Sequence, residues 1–97
     1  MPYGYIIAQV DVKNETEYAA YRAQVPATVA QYGGEFIARG GKSQGLEGTP
    51  PAGRTVILRF PSYERALEWY NSPDYEKPKA LRHAASEGRA ILVEGLE

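Results

Sequence analysis

The strongest constraint on the fold of this chain is the order in which two hydrophobic periods follow one another. A period of two, typical of strands, covers residues 3–12, 35–41, 55–60 and 89–95. Helical spacing covers residues 14–33 and 62–87, and the second stretch is interrupted at Asn71-Ser72-Pro73. The chain therefore reads strand, helix, strand, strand, helix, strand, which leaves few topologies open because crossovers between parallel strands are right-handed.

This order of elements is that of the ferredoxin-like, or split βαβ, plan. We predict an α+β fold, βαββαβ, with an antiparallel sheet and both helices on one face, in which the first and third strands form a central pair that we take to run parallel. With 97 residues the chain (1–97) is predicted to form a single domain, because a second core would not fit. Residues 42–53 are rich in Gly and Pro and are long enough to act as a lid, a binding loop or an interface arm.

Local signals predict where the helices begin and end. Asn14, with Glu17 three residues later, fits a capping box at the start of the first helix. Pro26 removes one backbone hydrogen bond and is expected to kink that helix near Arg22. In the second half, Ser62 and Ser72 are N-cap candidates. The last helix is predicted to run to about residue 87, with Gly88 ending it.

Composition and charge exclude several classes of function. The 11 basic and 12 acidic residues give a net charge of −1, unlike the basic excess of nucleic-acid or membrane-surface proteins. The absence of Cys excludes disulfides, zinc thiolates and thiol nucleophiles, and His83 is the only histidine. We therefore expect no metal, cofactor, nucleic-acid or membrane partner. No apolar run reaches the ~20 residues of a membrane span and no signal-peptide pattern is present, so we expect a cytoplasmic protein.

Alternation divides each strand between two faces of the sheet. The face beneath the helices is predicted to carry Ile6, Ala8, Val10, Val12, Phe36, Ala38, Val56, Leu58, Phe60, Ile91 and Val93. The opposite, open face is predicted to carry the apolar side chains Tyr5, Ile7, Ile37, Ile57 and Leu92. Burying these five is worth roughly 8–15 kcal/mol, comparable with the whole stability of a domain. We therefore predict a homodimer packed sheet to sheet, against the alternative of a monomer with a half-apolar sheet.

Charged side chains share the predicted open face. Asp11 and Arg59, placed near the ends of neighbouring parallel strands, are predicted to face each other as a structural ion pair or as the polar end of a ligand cavity. Arg39 is assigned to the same face. Because Gly40 and Gly41 leave space beside its guanidinium, Arg39 is a candidate for binding a carboxylate or phosphate through two hydrogen bonds.

Aromatic side chains and one cation flank the break between the helical stretches of the second half. Tyr75 and Arg82 are seven residues apart and so share a helical face, and with Trp69 and Tyr70 they can form an aromatic wall with one positive charge. Core packing, with Arg82 covering one end, is the competing interpretation. The eight tyrosines of the chain favour surfaces that are both apolar and wet, such as pocket walls and interfaces.

Three segments, in order, resemble the bacterial domain-of-unknown-function family DUF1330: Tyr-Gly-Gly-Glu-Phe-Ile-Ala-Arg-Gly-Gly (32–41), Val-Ile-Leu-Arg-Phe-Pro-Ser-Tyr (56–63) and Ala-Leu-Glu-Trp-Tyr-Asn-Ser-Pro-Asp-Tyr (66–75). The resemblance implies the dimeric α/β-barrel superfamily, in which cofactor-free monooxygenases, dehydratases and isomerases use the cleft between sheet and helices. It implies no established reaction and no catalytic residue. By similarity, the candidate ligand-binding residues are Arg39, Trp69, Tyr70, Ser72, Tyr75 and Arg82.

Three functions remain open at this point. The first is binding of a small aromatic or anionic molecule in the cleft of a homodimer, anchored by Arg39 or Arg82. The second is a cofactor-free enzyme of the small monooxygenase or isomerase type, with Tyr70, Tyr75 and Asp11 as candidate acid–base groups. The third is a dimerising interaction domain, for which residues 42–53 are the best support.

Overall fold

The computed structural model describes residues 2–48 and 53–96, and over these ranges the chain forms four strands and three helices. Their bounds are β1 Gly4–Val12, α1 Glu15–Gln31, β2 Glu35–Arg39, β3 Arg54–Phe60, α2 Tyr63–Tyr70, α3 Pro73–Ala85 and β4 Ser86–Glu94. The sheet order is β2-β3-β1-β4, and every neighbouring pair is antiparallel. The predicted α+β, ferredoxin-like fold is thus confirmed. Of the connection at 42–53, residues 49–52 lie outside the described residues.

The predicted parallel pairing of the first and third strands is wrong, because β1 and β3 are antiparallel. The crossover through α1 brings β2 back in the direction of β1, and the chain then reverses into β3. In the observed register Arg59 lies opposite Tyr5, near the start of β1, whereas Asp11 lies near its end. The predicted Asp11–Arg59 pair is therefore wrong as well. Asp11 instead pairs with Lys13 at 2.9 Å.

The predicted caps of the helices are confirmed. The Asn14 side chain accepts a hydrogen bond from the backbone N–H three residues on, at 3.1 Å, and Ser62 and Ser72 do the same for α2 and α3. Gly33, just past α1, has a φ of +77°, a conformation that glycine adopts without strain. The helix α1 continues through Pro26.

The helix α3 ends at Ala85, earlier than predicted, and β4 begins at Ser86. The carbonyl of Ala85 accepts hydrogen bonds from the backbone N–H groups of Lys13 and Asn14, at 2.8 and 2.9 Å, which ties the end of α3 to the start of α1. Gly88 lies inside β4, where an added Cβ would collide with the carbonyl of the neighbouring strand. The prediction that Gly88 ends the helix is therefore wrong.

The predicted faces of the last strand are reversed. In the β1–β4 register Leu92 lies opposite Ile6, on the side of the helices, and Ile91 lies opposite Ile7 on the open face. Ile91 and Val93 are accordingly 60% and 43% exposed. The run Ala-Ile-Leu-Val at 90–93 is apolar at every position, so a period of two cannot tell one face from the other.

The core lies between the sheet and the three helices. Its buried side chains come from both layers: Ile6, Val25, Val29, Leu58, Phe60, Ala66, Trp69 and Tyr75, with Val10, Tyr18 and Ala85 in an adjoining cluster. Ile7 and Ile57 are only partly buried and Ile37 is 48% exposed, so the open face is apolar, as predicted. Over residues 2–48 and 53–96, no helix has the length and apolar character needed to cross a bilayer.

Candidate functional site: an arginine-lined cavity

A cavity of about 40 Å³ lies between the sheet and the helices. Its walls are Ile6, Ala8, Val10, Tyr18, Tyr21, Arg22, Val25, Phe36, Arg39, Arg54, Val56, Leu58, Trp69, Tyr70, Tyr75, Arg82 and Ala90. The floor is mainly aliphatic and comes from the strands, while the roof is aromatic and comes from the helices. Among the residues that the structure describes, four arginines and no acidic residue line this cavity. Every candidate ligand-binding residue except Ser72 borders it.

Ser72 caps α3 and does not line the cavity. Its hydroxyl donates to the carbonyl of Trp69 at 2.8 Å and accepts from the N–H of Tyr75 at 3.2 Å. These two bonds join the end of α2 to the start of α3. They therefore fix the Trp69 and Tyr75 rings of the roof. Ser72 therefore positions the site without facing it.

Trp69 serves both the core and the cavity wall. Its indole N–H donates to the hydroxyl of Thr28 at 3.0 Å, so its one polar group is already bonded within the protein. Its ring lies 4.0 Å from that of Tyr75 and 5.3 Å from that of Phe60, centroid to centroid. The side chain therefore offers the cavity an apolar face, and both interpretations of the aromatic cluster hold for this residue.

Two tyrosine hydroxyls meet in the roof. The hydroxyl oxygens of Tyr21 and Tyr75 are 3.0 Å apart. Burial raises the pKa of Tyr75, and burial together with the neighbouring Tyr75 raises that of Tyr21 further. Both phenols therefore stay protonated at neutral pH, and one of the two hydroxyls donates to the other. The helical spacing of Tyr21 does not distinguish a core position from a cavity wall.

Arg82 is a buried cation with no carboxylate beside it. The residue is 8% exposed, and its Nε atom has no hydrogen-bond partner among the described residues. Its Nη2 lies 3.4 Å from the Nε2 of His83, and no salt bridge to it exists within the described ranges. Burial lowers the pKa of Arg82, but the Tyr75 and Tyr21 hydroxyls raise it by more, so the guanidinium stays charged. Buried arginines are otherwise almost always paired.

Arg39 lies on the helix side of the sheet, and its predicted place on the open face is wrong. The register of β2 against β3 slips between Phe36 and Ala38, so that Arg39 comes to lie opposite Val56. Its Nη2 donates to the carbonyl of Arg22 at 3.1 Å. Pro26, which has no N–H, leaves this carbonyl without its helical donor.

Arg54 is the cavity residue that sequence reasoning missed. Its Nε is buried with no partner among the described residues, and its guanidinium lies 5.7 Å from the centroid of the Tyr18 ring. Its Nη2 donates to the carbonyl of Arg39 at 3.4 Å. A side chain at Gly40 would collide with this guanidinium. The signal was therefore present in the sequence, but the space left by the glycines belongs to Arg54 and not to Arg39.

Tyr70 separates the cavity from two outer grooves. The larger, of about 410 Å³, is lined by Tyr70, Arg82, His83, Ser86, Glu87, Gly88, Arg89 and Ala90. The smaller, of about 220 Å³, runs between α2 and β4. Both share Tyr70 and Ala90 with the cavity. The Nζ of Lys79 lies 4.2 Å from the centroid of the Tyr70 ring and donates to the Tyr70 carbonyl at 3.0 Å, which holds this residue in place.

The groups suited to acid–base chemistry do not assemble here. Asp11 does not line the cavity. His83 is exposed in the outer groove, and its pKa is lowered by partial desolvation and by Arg82 and Lys79. In the described part of the chain, no three His, Asp or Glu side chains cluster as metal ligands. The arrangement is thus suited to holding an anion against cationic and phenolic donors.

Solved structures share this fold. A protein of unknown function from Rhodopseudomonas palustris is 20% identical, with a TM-score of 0.79 over 99% of this chain and 84% of that one. A dimeric ferredoxin-like protein of unknown function from Jannaschia sp. CCS1 is 16% identical, with a TM-score of 0.68 over 98% of each chain. SnoaB, a cofactor-independent oxygenase from Streptomyces nogalater, is 10% identical, with a TM-score of 0.64 over 100% of this chain and 96% of that one. At these identities the likeness shows the fold alone.

The sequence itself supplies the assignment that structural likeness leaves open. None of the curated proteins compared with the chain matches it. A family profile, that of a domain of unknown function, matches residues 3–96 and so spans every strand and helix described above. The resemblance drawn from the three sequence segments is thereby confirmed, and the chain belongs to the DUF1330 family.

Proposed function

We propose that this protein binds a small anionic molecule in the cavity between its sheet and its helices. The observation that carries the proposal is Arg82. Its guanidinium is buried, its Nε has no hydrogen-bond partner, and no carboxylate of the described residues forms a salt bridge with it. A buried, uncompensated charge destabilises a fold, and a bound carboxylate would remove that penalty through charge-assisted hydrogen bonds. Of the two paired hydroxyls of Tyr21 and Tyr75, one donates to the other, and the second has a proton free to donate to a ligand.

The experiment compares acids with their neutral amides. Benzoate and hexanoate are titrated into the purified protein by calorimetry, beside benzamide and hexanamide, which have similar shapes and no charge. We expect heat and a raised Tm with one or both acids only. Arg82→Gln should abolish the response, whereas Arg65→Gln should retain it, because Arg65 is bonded to Glu68 on the outer surface of α2. An acid response that survives in Arg82→Gln, or no response to either acid, contradicts the proposal.

We also propose that the protein is a homodimer joined through the open faces of two sheets. The face presents Ile7, Ile37, Ile57, Ile91 and Val93, and contiguous apolar surface of this kind marks an interface. The ferredoxin-like protein from Jannaschia, which has the same fold, is dimeric, and this supports a dimer of the present chain. Light scattering over a dilution series should give a mass of two chains at micromolar concentration. A mass of one chain throughout that range would contradict the proposed dimer.

A second candidate function is oxidation of a small molecule without a cofactor. It is favoured by the likeness to a cofactor-independent oxygenase and by the phenols beside Arg82, which are suited to stabilising an oxyanion. Oxygen uptake with quinol-type compounds measures this activity directly. We expect Tyr75→Phe to reduce turnover if it exists, and an absence of uptake with every quinol tested leaves binding as the function.

A further inference from the structure

Besides Arg82, the cavity has a second arginine whose Nε lacks a hydrogen-bond partner among the described residues. Over residues 2–48 and 53–96, the buried side-chain nitrogen and oxygen atoms without a hydrogen-bond partner are the Nε of Arg54 and the Nε of Arg82. Both residues line the same cavity. They belong to separate elements, since Arg54 begins β3 and Arg82 lies in the last turn of α3. One anion at Arg82 therefore leaves the Nε of Arg54 without a hydrogen-bond partner.

A row of tyrosines connects the two arginines. The Arg54 guanidinium lies 5.7 Å from the centroid of the Tyr18 ring, and the Tyr18 and Tyr21 centroids are 5.4 Å apart. The next step, from Tyr21 to Tyr75, is 6.4 Å, and their hydroxyls are in contact. Tyr75 in turn lines the cavity together with Arg82 and raises the pKa of its guanidinium. The row of tyrosines thus has a cationic group at each end.

The sheet sets the approximate length of this arrangement. Arg54 stands on β3, and Arg82 borders the cavity and the outer groove together with Ala90 of β4. Because β1 separates β3 from β4, these two strands are roughly 10 Å apart. The enclosed space of about 40 Å³ has room for about three waters, which is less than a dicarboxylate fills. An occupant must therefore be slender, and it must displace side chains at the borders of the cavity.

We propose that the ligand is a slender dianion, an aliphatic α,ω-dicarboxylate, held by one carboxylate at each end of the cavity. One carboxylate accepts hydrogen bonds from Arg82 and from one hydroxyl of the Tyr21–Tyr75 pair, and the other accepts them from Arg54, with the exposed Arg39 beside it. The inference rests on the proposed function, since it specifies the ligand of the same cavity. At the borders of the cavity Arg39 is exposed and Tyr70 is partly buried, so a ligand enters by displacing these two side chains and leaves the core intact.

The experiment pairs each diacid with the monoacid of equal length. Calorimetric titrations compare adipate with hexanoate and glutarate with pentanoate, with succinate and pimelate extending the length series. We expect the best diacid to bind at least tenfold more tightly than its monoacid, because it makes a second charge-assisted contact. Affinity should pass through a maximum along the series, since only one length reaches both arginines.

Variants assign the two ends separately. Arg54→Gln should lower diacid affinity to that of the monoacid and leave monoacid affinity unchanged, whereas Arg82→Gln should remove both. Arg65→Gln, with the same loss of charge, should change neither. If Arg54→Gln does not fold, Arg54→Met decides, because it removes the charge and keeps most of the side-chain volume. Loss of the diacid preference supports the second end, and an unchanged preference contradicts it.

Failure of this inference differs from failure of the proposed function. Equal affinity for adipate and hexanoate, both dependent on Arg82, overturns the dianion and leaves the anion site intact. Binding of neither class overturns both. A diacid preference that survives Arg54→Gln contradicts the role of Arg54.

Discussion

The open face of the sheet lacks apolar contacts, whereas the cavity on its other side lacks negative charge. On the open face the described arginines have partners. Arg59 bonds to Glu35 through its Nε at 2.8 Å, and Arg89 bonds to Gln9 at 2.9 Å. Ile37 and Ile91 of the same face stay exposed. In the cavity the apolar groups are packed, while Arg54 and Arg82 have no carboxylate. The proposed dimer would supply the missing apolar contacts of the open face, and the proposed anion would supply the missing negative charge of the cavity.

The comparison predicts different energetic behaviour for neighbouring residues of β3. Leu58 is 5% exposed beneath the helices, so Leu58→Ala should lower the free energy of unfolding by about 2–5 kcal/mol at any protein concentration. Ile57→Ala, on the open face, should cost about 1 kcal/mol or less in dilute protein, where no partner covers it. Denaturant titrations at low and high protein concentration measure both. An Ile57→Ala cost equal to that of Leu58→Ala in dilute protein would contradict the distinction between the faces.

A charge placed on the open face should separate the dimer. Ile57→Lys removes an apolar contact worth roughly 1.5–3 kcal/mol and adds a charge that must be desolvated, so the dimer dissociation constant should rise by tenfold or more. Light scattering measures the change. Leu67→Lys is the matched control, because Leu67 is 44% exposed on α2, away from this face. If both variants dissociate alike, or neither does, the interface lies elsewhere.

Replacement of an arginine by methionine should have opposite signs on the two sides. Arg82→Met removes a buried charge without a partner and keeps most of the side-chain volume, so the unliganded protein should gain about 1–2 kcal/mol while losing anion binding. Arg59→Met breaks a partly exposed pair with Glu35 and should destabilise the protein slightly. Thermal unfolding without and with hexanoate measures both effects. Destabilisation by Arg82→Met would mean that Arg82 is satisfied within the fold.

The sequence predicted the fold well because its signals are local. Asn14 and Ser72 are caps, and alternation in β1 and β3 identified the covered and open faces. Two of the errors arose where a shift of one residue in strand register decides which face of the sheet a side chain takes. The slip after Phe36 moved Arg39 to the helix side, and the continuous apolar run at 90–93 hid the faces of β4.

The cavity was harder to predict than the fold. Spacing placed Tyr75 and Arg82 on one helical face, and the structure brings both to the cavity. Arg54 could not be found in the same way, because its position depends on where β3 begins and on space beside Gly40, which is set by strand pairing. Tyr21 has the same helical spacing as a core residue, and only the packing of α1 against α3 brings its hydroxyl to Tyr75.

The smallest expected effect concerns His83, which lines the outer groove beside Arg82. Partial desolvation and the nearby Arg82 and Lys79 hold the pKa of His83 below its ordinary 6.5, and Glu87 and Arg89 of β4 line the same groove. Since the unfolded chain takes up the proton at higher pH than the folded one, folding stability should fall as pH drops from about 6.5 through the lower folded pKa. Above pH 6.5 this group contributes no slope.

Subtracting the profile of His83→Gln from that of the original protein isolates this contribution in denaturant titrations between about pH 7 and pH 5. A saturating acid ligand should then flatten the difference, because a carboxylate beside Arg82 offsets the positive charge that His83 feels. A slope of the opposite sign would show that a negative group faces His83. A slope unchanged by a ligand that binds would mean that the anion does not reach the Arg82 end of the cavity.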